Sequence, residues 1–486
     1  MIMNAVTEAI QTTQTEVSRE AMLAALEAQR EALGKEGIVT AKTRIDRLDR
    51  AINLVLEHQD ELIDAMSVDF GNRPRAMSLV TDIMSSVKSL KHARNHVRGW
   101  MKPDRRPLEF PLGLLGARAY VQYQPKGVVG LISPWNFPVN LTFGPLAGIL
   151  AAGNRALIKP SEFTPQTSAV MQSLIENYFE PTEIGVFTGG PDVGQAFSSL
   201  PFDHLMFTGA TSIGRHVMRA AAENLVPVTL ELGGKSPVIV GESADIEASA
   251  EKIMLGKLMN AGQVCLAPDY LFVPAGKKDA FVKALQKSAA AMYPTLSNNP
   301  DYTSIVNDRN AERLQNYLTD AESRGAKTIR LLESDAGDQR KLAPVVVDNV
   351  NDDMKVMQDE IFGPILPIRA YESVDEVLDY INAHDRPLGL YYFGNDGAEE
   401  ERILNETTSG GVTINDVIWH VGQEDLPFGG IGPSGMGSYH GFDGFREFSS
   451  QKAVFRQAKV NLAQMLGLKP PYKKEVPFTV KRELKP

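Results

Sequence analysis

The chain has 486 residues, of which 43% are hydrophobic and 23% are charged, and its formal net charge is −10. That length is too great for one compact core, so two or three domains are expected. The negative charge disfavours nucleic acid as the main partner, because such binding usually needs a basic surface, and the single cysteine excludes intrachain disulfides and cysteine-rich zinc or iron–sulfur sites.

The N-terminal part predicts helices and then one strand. Residues 1–17 contain no basic region followed by an apolar core, so no secretory signal is expected and a cytoplasmic location is predicted. Apolar residues recur every three or four positions in three stretches, which predict amphipathic helices: 19–33, 41–69 and 77–100. Gly71 and Pro74 end the second of these, and residues 117–124 alternate as a strand.

From residue 128, short β-type runs alternate with helical stretches. The predicted strands are 128–132, 156–159, 185–188, 205–207 and 228–231, and the helices between them are 141–152, 165–178 and 212–223. This order requires parallel strands with crossover helices, so it predicts a doubly wound α/β sheet that binds ligands at the carboxyl ends of its strands. The apolar helix at 141–152 is too short to cross a bilayer, so no membrane partner is expected.

A second α/β pattern runs from residue 236 to about 405. Its predicted strands, with one that follows it, are 237–240, 270–273, 327–331, 365–368 and 410–414. A glycine-rich segment at 427–444 comes next, and the tail after 469, rich in lysine and proline, is interpreted as a surface arm. The sequence therefore predicts a second α/β domain after the first.

Cys265 is the candidate nucleophile. A lone cysteine is by default a buried, inert small hydrophobe, but Gly262 and Gln263 give this one a polar, tightly turned setting. The thiolate is the reactive form, and the free thiol has a pKa of about 8.5, so only about a few per cent is ionised at neutral pH. A catalytic role therefore requires a neighbouring group that assists ionisation.

Glu231 and Asn136 are the candidate partners of this thiol. Glu231 ends an apolar strand before Gly233 and Gly234, where burial would raise its pKa into the range of a general base. The alternative is a carboxylate satisfied by the N–H groups of the glycine turn. Asn136 lies between two prolines after a strand, and its amide can donate to an oxyanion, the alternative being an Asx turn.

Three segments are candidates for phosphate or ribose recognition. Residues 207–214 form a strand, a glycine turn and a helix start, which suits a pyrophosphate, although the spacing is not the usual dinucleotide fingerprint. Residues 189–194 imitate that fingerprint, but Pro191 removes a donor, so a structural turn is predicted there. Lys159 and Glu162 follow another strand, where they can hold the ribose hydroxyls of an adenosine.

Together these segments resemble the aldehyde dehydrogenase superfamily from about residue 20 to 455. Seven motifs occur in the family order: 134–138, 159–162, 207–214, 230–237, 260–267, 360–364 and 427–430. The separation of 34 residues between Glu231 and Cys265 is also usual in the family. Segments 265–270, 415–420 and 434–441 look like the shorter class-3 branch, within which the sequence is most similar to coniferyl aldehyde dehydrogenases.

The resemblance implies a role for each candidate. Cys265 would attack the aldehyde carbonyl, Asn136 and the Cys265 backbone N–H would stabilise the oxyanion, and Glu231 would activate water to release the acid. Hydride would pass to NAD⁺, with NADP⁺ as the alternative, and Glu162 favours NAD⁺ because a 2′-phosphate would meet its negative charge. Ala210 stands where the family commonly has a serine. The residues implied to bind the cofactor are Trp135, Lys159, Ser161, Glu162, Thr208, Gly209, Gly214, Leu232, Gly233, Glu360 and Phe362.

The resemblance also implies three regions and a homodimer. The region implied to bind NAD(P) is 1–107 with 127–230. The catalytic domain is 231–413. The oligomerisation region with the C-terminal arm is 108–126 with 414–486.

The implied substrate is an aromatic aldehyde, namely coniferyl aldehyde, which would be oxidised to ferulate. Medium-chain aliphatic aldehydes are the alternative substrates. No metal ion is expected in the site. A coenzyme A-acylating enzyme is a further alternative, which the presence of Glu231 disfavours. A non-catalytic scaffold is disfavoured because Cys265, Glu231 and Asn136 are all present.

Overall fold

The protein is described by a computed structural model that covers residues 17–110, 112–333, 338–461, 464, 469–471, 481 and 484. Segment 1–16, on which the expectation about a secretory signal depends, and most of the predicted C-terminal arm lie outside the described residues. Within the described part of the chain, no helix combines the length and the apolar character needed to cross a membrane.

Helices and strands alternate over most of the described chain. In chain order the helices are α1 (Arg19–Glu36), α2 (Ala41–Glu57), α3 (Gln59–Phe70), α4 (Arg75–Ser78), α5 (Ser85–Trp100), α6 (Asn140–Ala152), α7 (Pro165–Tyr178), α8 (Pro191–Ser198), α9 (Thr211–Ala222), α10 (Ile246–Leu258), α11 (Lys278–Met292), α12 (Asp308–Ser323), α13 (Lys355–Gln358), α14 (Val374–Ala383), α15 (Gly397–Glu406) and α16 (Gly441–Glu447). The strands are β1 (Asp104–Arg106), β2 (Arg118–Pro125), β3 (Val128–Ile132), β4 (Arg155–Lys159), β5 (Ile184–Val186), β6 (His204–Thr208), β7 (Val228–Glu231), β8 (Pro237–Val240), β9 (Tyr270–Pro274), β10 (Lys327–Arg330), β11 (Val345–Asp348), β12 (Ile365–Tyr371), β13 (Gly389–Phe393), β14 (Gly411–Ile414), β15 (Gly435–Met436) and β16 (Ser449–Arg456).

The N-terminal helices differ from the prediction in two places. The single helix predicted over 41–69 is wrong, because His58 separates α2 from α3 with a non-helical backbone (φ −114°, ψ 22°). The apolar periodicity continues through this break, so the pattern does not reveal it. Gly71 ends α3, as predicted, and it does so in the left-handed conformation. The helix predicted over 77–100 contains a π-helical stretch, Leu79–Met84, between α4 and α5.

The first α/β pattern forms a six-stranded sheet in the order β15-β7-β6-β3-β4-β5. Neighbouring strands from β7 to β5 are parallel, and β15 adds to β7 in the antiparallel direction. Val129 and Leu131 of β3 face a core shared with α2, α5, α6 and α7, whereas Val128 faces one shared with α1, α8 and α9. Helices therefore cover both faces, and the predicted doubly wound parallel sheet is confirmed.

The second α/β pattern forms a seven-stranded sheet in the order β10-β11-β12-β9-β8-β13-β14. Its pairs are parallel except for β10 with β11. The predicted second α/β unit is confirmed, but β11 and β13 were not among the predicted strands. Both are short buried apolar runs, for which periodicity does not separate a strand from a helix segment.

A three-stranded antiparallel sheet, in the order β1-β2-β16, pairs two strands that precede the first α/β sheet with one that follows the second. The strand predicted at 117–124 is β2. Strand β16 was not predicted, because most of its side chains are exposed and it has no alternating apolar face. Strand β15, within the glycine-rich segment, pairs with the carboxyl end of β7. The chain then continues through α16 into β16, so the three-stranded sheet is connected to the carboxyl end of β7 by a short stretch of chain.

Candidate active site

The candidate residues of the first sheet gather at its carboxyl edge. Glu231 is the last residue of β7 and is paired with Thr208 of β6 on one side and Gly435 of β15 on the other. Asn136 follows β3, which lies beside β6, and Lys159 is the last residue of β4. Because the strands are parallel, all of these residues lie at the edge where such sheets bind ligands.

Glu231 is buried and has no hydrogen-bond partner on either carboxyl oxygen among the described residues. Burial, followed by the negative charge of Glu447, raises its pKa well above the ordinary value. The alternative of a carboxylate satisfied by the glycine turn is wrong, because the Gly234 backbone N–H donates to Glu360 instead. The surroundings of Glu231 therefore favour the neutral form of its carboxyl group.

The turn that precedes Cys265 has an unusual backbone conformation. After α10, Asn260 and Ala261 both have positive φ (49° and 54°) and precede Gly262 at φ 77°. A Cβ at Gly262 would overlap the carbonyl of Gly363, so the turn packs closely against the loop that carries Glu360. Two consecutive non-glycine residues in the left-handed region store strain, which is typical of functional loops.

Side-chain hydrogen bonds fix this turn and connect it to Asn136. Gln263 Nε2 donates to the carbonyls of Asn260 (2.9 Å) and Ser304 (3.2 Å), and its Oε1 accepts from the Val306 N–H (2.9 Å). Asn136 Nδ2 donates to the Gln263 carbonyl (3.2 Å), and Asn260 Nδ2 donates to the Asn136 carbonyl (3.1 Å). The amide of Asn136 is thus directed to the cysteine loop rather than to an Asx turn of its own.

The Cys265 thiol is half-buried and protonated at rest. Burial, followed by the charges of Glu360 and Glu231, raises its pKa to about 12, while the backbone N–H groups of Cys265 and Leu266 act in the opposite direction. A thiol with such a pKa is a weak nucleophile. Activation therefore requires that a neighbouring base take its proton or that binding of substrate and cofactor change its surroundings.

Glu360 lies on a loop held by two residues from the neighbouring motifs. Lys235 Nζ donates to the carbonyls of Val356 (2.7 Å) and Asp359 (2.9 Å) and forms an ion pair with Asp269. The second oxygen of Asp269 accepts from the Ile361 N–H (2.9 Å). The loop is therefore rigidly connected to both the Glu231 segment and the Cys265 segment.

The carboxyl group of Glu360 accepts a hydrogen bond from the Gly234 backbone N–H, but one of its two oxygens has no partner among the described residues. Burial, followed by the charge of Asp269, raises its pKa to about 8, and its Oε1 has no partner in the described residues. A Cβ at Gly233 would overlap the Glu360 carboxylate, so only glycine allows this approach. Phe362 follows with φ 50°, and its ring contacts Trp135 edge to face at 5.3 Å between centroids.

The turn predicted to bind a pyrophosphate lies between β6 and α9. The Gly209 N–H donates to the Glu231 carbonyl (3.0 Å), and the Gly214 N–H donates to the Ala210 carbonyl (2.9 Å) within the first turn of α9. Ala210 provides no side-chain cap, so the first N–H groups of this helix are left for a ligand. Thr208 Oγ1 is buried and has no partner among the described residues.

The other predicted cofactor residues lie along the same edge. Lys159 is buried, and its Nζ forms an ion pair with the partly exposed Glu162 at 2.8 Å. Ser161 Oγ accepts from the Phe163 N–H (3.2 Å). The Leu232 N–H donates to the Ser434 carbonyl (3.0 Å). The turn predicted at 189–194 forms the beginning of α8.

Three further residues support the site and were missed from the sequence. Lys235 lies inside the motif at 230–237, and Asp269 lies inside the class-3-like segment at 265–270, so both positions were within segments that the sequence had singled out. Lys257 is buried at the end of α10 with no partner for its Nζ among the described residues, and burial lowers its pKa to about 8. No group of three or more metal-binding side chains occurs in the described ranges.

Comparison with known proteins places this geometry in a family. Residues 1–454 match the aldehyde dehydrogenase family. A probable coniferyl aldehyde dehydrogenase of Caulobacter vibrioides is 56% identical over 92% of this chain and 93% of its own length. The coniferyl aldehyde dehydrogenase of Pseudomonas sp. strain HR199 is 51% identical over 94% of this chain and 95% of its own length.

Solved structures agree with this assignment. The substrate-bound state of AldH from Staphylococcus aureus has a TM-score of 0.85 and 37% identity, covering 90% of this chain and 94% of its own. The NAD⁺ complex of an aldehyde dehydrogenase from Bacillus cereus has a TM-score of 0.82 and 28% identity, covering 91% of this chain and 90% of its own. The chain therefore belongs to the aldehyde dehydrogenase family and is an NAD(P)-dependent aldehyde dehydrogenase.

Proposed function

We propose that the protein oxidises an aldehyde to the carboxylic acid through a thioester on Cys265 that is hydrolysed with the help of Glu231. The observation that carries this proposal is the buried carboxyl group of Glu231, which has no partner in the described residues and whose ionised form would raise the pKa of the Cys265 thiol. A buried polar group without a partner costs stability, and such groups concentrate where a reaction uses them.

In the first step the Cys265 sulfur attacks the carbonyl carbon, and the thiol proton passes to a base in the site. The carbonyl oxygen becomes negative and would accept hydrogen bonds from Asn136 Nδ2 and the Cys265 backbone N–H. Asn136 uses one amide hydrogen on Gln263, which leaves the second for this oxygen. When bound, NAD(P)⁺ supplies the hydride acceptor, and the thioester on Cys265 results.

In the second step Glu231 acts as the general base. Its carboxylate takes a proton from water, the water oxygen bonds to the thioester carbon, and the carbon–sulfur bond breaks to release the acid. The neutral resting state of Glu231 is compatible with this role, because a base with a raised pKa accepts a proton more readily. Hydrolysis by Glu231 also favours an acid product over transfer of the acyl group to coenzyme A.

The described residues fit a nicotinamide dinucleotide. The uncapped start of α9 and the unpartnered Thr208 Oγ1 offer donors to phosphate groups. The unpartnered oxygen of Glu360, beside Gly233, can accept from a ribose hydroxyl, with the Trp135–Phe362 pair nearby. The remaining proposed contacts are Lys159, Ser161, Glu162, Gly209, Gly214 and Leu232.

We assign NAD⁺ rather than NADP⁺ as the preferred cofactor because of Glu162. Its side chain is about a third exposed and reaches Lys159 at 2.8 Å, where the adenosine ribose would lie. A free 2′-hydroxyl can donate to this carboxylate, whereas a 2′-phosphate would be repelled by it. Lys159 partly offsets that repulsion, so NADP⁺ is the weaker alternative rather than an excluded one.

We propose an aromatic aldehyde, coniferyl aldehyde, as the substrate, with ferulate as the product. The names of the two coniferyl aldehyde dehydrogenases described above support this proposal, and so does the hydrophobic cluster against which Cys265 packs. Cys265 packs against a large hydrophobic cluster whose buried members include Phe137, Phe428 and Tyr439, and aromatic side chains of this kind are compatible with an aromatic substrate. Medium-chain aliphatic aldehydes are the alternative, since the same surroundings would accept an alkyl chain.

We also retain the division into three regions. The proposed NAD(P)-binding region is 1–107 with 127–230, the catalytic region is 231–413, and the oligomerisation region is 108–126 with 414–486. The β1-β2-β16 sheet supports the last of these, because β16 leaves one edge unpaired in the described chain and its Phe455 is 53% exposed. We propose a homodimer that uses this sheet, and a cytoplasmic location in keeping with the single thiol.

The first experiment follows NADH or NADPH absorbance with coniferyl aldehyde, benzaldehyde and hexanal, each with NAD⁺ and NADP⁺. Highest kcat/KM for coniferyl aldehyde with NAD⁺ is the expected result. Turnover of hexanal alone would preserve the mechanism and contradict the aromatic substrate. Coenzyme A is added in a parallel reaction, and an acyl-coenzyme A product would contradict hydrolysis by Glu231.

A further inference from the structure

A fully buried ion pair contacts the Asn136 loop, which consists of residues 134–140. Arg73 Nη2 donates to Asp82 Oδ2 at 2.7 Å, and neither side chain is exposed to solvent. Transfer of two opposite charges out of water is costly, and apolar residues of similar volume often give a protein that is equally or more stable. Stability alone therefore does not explain this pair, and its contacts indicate a second role.

The two carboxylate oxygens of Asp82 have different partners. Oδ2 accepts from Arg73, whereas Oδ1 accepts from the backbone N–H groups of Val139 (3.1 Å) and Asn140 (3.2 Å) at the start of helix α6. The side chain of Val139, which precedes α6, provides no cap, so Asp82 holds the first N–H groups of this helix from 57 residues away. The ion pair is thereby joined to the end of the Asn136 loop.

Arg73 contacts the same loop through aromatic rings. Its guanidinium carbon lies 4.9 Å from the centroid of the Phe70 ring and 5.2 Å from that of the Phe137 ring, and a cation over such a ring is attracted to it. The Phe70 ring also meets the Trp135 ring at 6.1 Å between centroids. The two neighbours of Asn136 in the chain are therefore packed against Arg73 or against Phe70, the ring that Arg73 covers.

Asn136 itself is bonded to the turn that carries Cys265. Its Nδ2 donates to the Gln263 carbonyl (3.2 Å), and its carbonyl accepts from Asn260 Nδ2 (3.1 Å). A donor to an oxyanion acts at about 2.7–3.1 Å, and a displacement of about 1 Å can cost about 10²-fold in rate. The free amide hydrogen of Asn136 can therefore act on the reacting oxygen only while the backbone on both sides of this residue is held in place.

We propose that the buried Arg73–Asp82 ion pair fixes the Asn136 loop, so that the free amide hydrogen of Asn136 meets the oxyanion that forms at Cys265. Arg73 and Asp82 are positioning residues, because they act through Asn136. The carboxylate is needed for its two acceptor ends, one for the loop and one for Arg73. The inference rests on the proposed function, since Asn136 needs this placement only if it is the oxyanion donor.

The test measures the rate of the first NADH turnover by stopped flow, with whichever of coniferyl aldehyde, benzaldehyde and hexanal is oxidised fastest. Asp82→Asn should slow it about tenfold, because the amide oxygen can accept from the loop or from Arg73 but not from both. Asn136→Ala should slow it about 10²–10³-fold, the scale for loss of an oxyanion donor. In the Asn136→Ala background, Asp82→Asn should cost less than about twofold, because the amide through which it acts is gone.

Glu183→Gln is the control for a general loss of stability. Glu183 forms ion pairs with Arg47 (2.9 Å) and Arg50 (2.8 Å), and it precedes β5, so it lies at the opposite edge of the sheet from the site. This variant should keep the first-turnover rate within about twofold of the parent. A loss in the control as large as that in Asp82→Asn would overturn the inference, because destabilisation alone would then account for both.

A second variant keeps the test valid if Asp82→Asn does not fold, since that change leaves Arg73 charged and buried without its partner. Arg73→Met combined with Asp82→Asn removes both charges. It should also slow the first turnover about tenfold, and by less than about twofold in the Asn136→Ala background. Urea unfolding verifies that each variant is folded under the assay conditions. If neither variant folds, the pair is a requirement of the fold itself and the inference is overturned.

Asn136→Ala on its own separates this inference from the proposed function. If Asn136→Ala is as fast as the parent, the oxyanion donor is wrongly assigned and the positioning role fails with it. If Asn136→Ala is slow and Asp82→Asn is as fast as the parent, only the positioning role is wrong. The positioning role is also wrong if the two effects multiply in the combined variant, because Asp82 would then act independently of Asn136.

Discussion

The surroundings of the Cys265 thiol and of the Glu231 carboxyl group favour the neutral form of each. Burial is the largest cause in each case, since it disfavours the charged form of either group. Their charges would also repel each other, because ionisation of one raises the pKa of the other. The site therefore avoids a reactive thiolate at rest, and the two groups can work in sequence, the thiol first and the carboxylate second.

Replacing the nucleophile should separate chemistry from binding. Cys265→Ala should abolish aldehyde oxidation, because no thioester can form, while NAD⁺ binding should persist because the proposed contacts to the cofactor are untouched. Steady-state absorbance measures the first effect and fluorescence titration with NAD⁺ the second. Measurable turnover at more than about a thousandth of the parental rate would mean that another group is the nucleophile.

The raised pKa of Glu231 gives a direction for pH dependence. The base works as the carboxylate, so the rate of thioester hydrolysis should rise with pH until Glu231 is ionised and then level off. Glu231→Gln should slow this step by roughly 10²–10⁴-fold and remove that limb of the profile. Single-turnover measurements from pH 6 to 10 report it directly, and a profile that falls with rising pH would contradict a base at this position.

The proposed preference for NAD⁺ over NADP⁺ rests on the negative charge of Glu162. Glu162→Gln should lower the ratio of kcat/KM for NAD⁺ to that for NADP⁺ by about tenfold, equal to about 1.4 kcal/mol, because repulsion of the 2′-phosphate is lost. Glu176→Gln, on the exposed side of α7, is the matched control. An unchanged ratio in Glu162→Gln would place the adenosine ribose elsewhere.

At the scale of elements, the loops that carry Asn136, Cys265 and Glu360 meet because glycines permit close backbone approach and hydrogen bonds hold the loops in place. Gly233 admits the Glu360 carboxylate, Gly262 admits the backbone of Gly363, and Asn136 is bonded to the cysteine turn. The distances in the sequence are large, yet the carboxyl ends of neighbouring strands bring these loops together. The geometry of the site therefore depends on backbone packing as much as on the reactive groups.

Gly233→Ala should test this packing. Its Cβ would overlap the carboxylate of Glu360, so that side chain must move away from the proposed ribose contact, and KM for NAD⁺ should rise at least about tenfold. Gly99→Ala is the control, because Gly99 lies in α5 with no atom within 4 Å of an added Cβ. Unchanged KM for NAD⁺ in Gly233→Ala would show that Glu360 does not contact the cofactor.

The sequence predicted the limits of helices and strands correctly where the apolar periodicity was strong, and it missed elements where that periodicity was weak. Strands β3 and β7 and helix α7 have the predicted limits, since apolar runs and flanking prolines or glycines mark them. Strand β16 is largely exposed, and His58 breaks a helix without disturbing its pattern, so neither leaves a signal. Likewise, motif order predicted which residues gather at the carboxyl edge of the sheet, but not the close glycine contacts, which depend on packing between distant segments.

At the scale of the whole molecule, an ion-pair network joins the N-terminal helices to the first sheet. Arg47 of α2 is 3% exposed and binds Glu36 of α1 (3.0 Å) and Glu183 next to β5 (2.9 Å). Arg50 binds Glu183 from the other side (2.8 Å), and Arg155 of β4 binds Glu36 (2.7 Å). Segments more than 100 residues apart in the chain are therefore tied together by shared carboxylates at the β4–β5 edge of the six-stranded sheet.

This network predicts how stability changes in acid. Burial alone would raise the pKa of Glu183, but hydrogen bonds and charges from Arg50 and Arg47 lower it from 4.5 to about 2. Its contribution is therefore present above about pH 4.5 and is lost as the pH falls towards 2. Allowing for solvent screening of the partly exposed Arg50, Glu183→Gln should reduce the free energy of unfolding by about 2 kcal/mol at pH 7 and by much less near pH 2.5. Urea unfolding at both pH values measures the difference, with Glu176→Gln as the control. An equal loss at the two pH values would mean that Glu183 contributes through packing and not through its ionised carboxylate, because only the charged form gains from the two arginines.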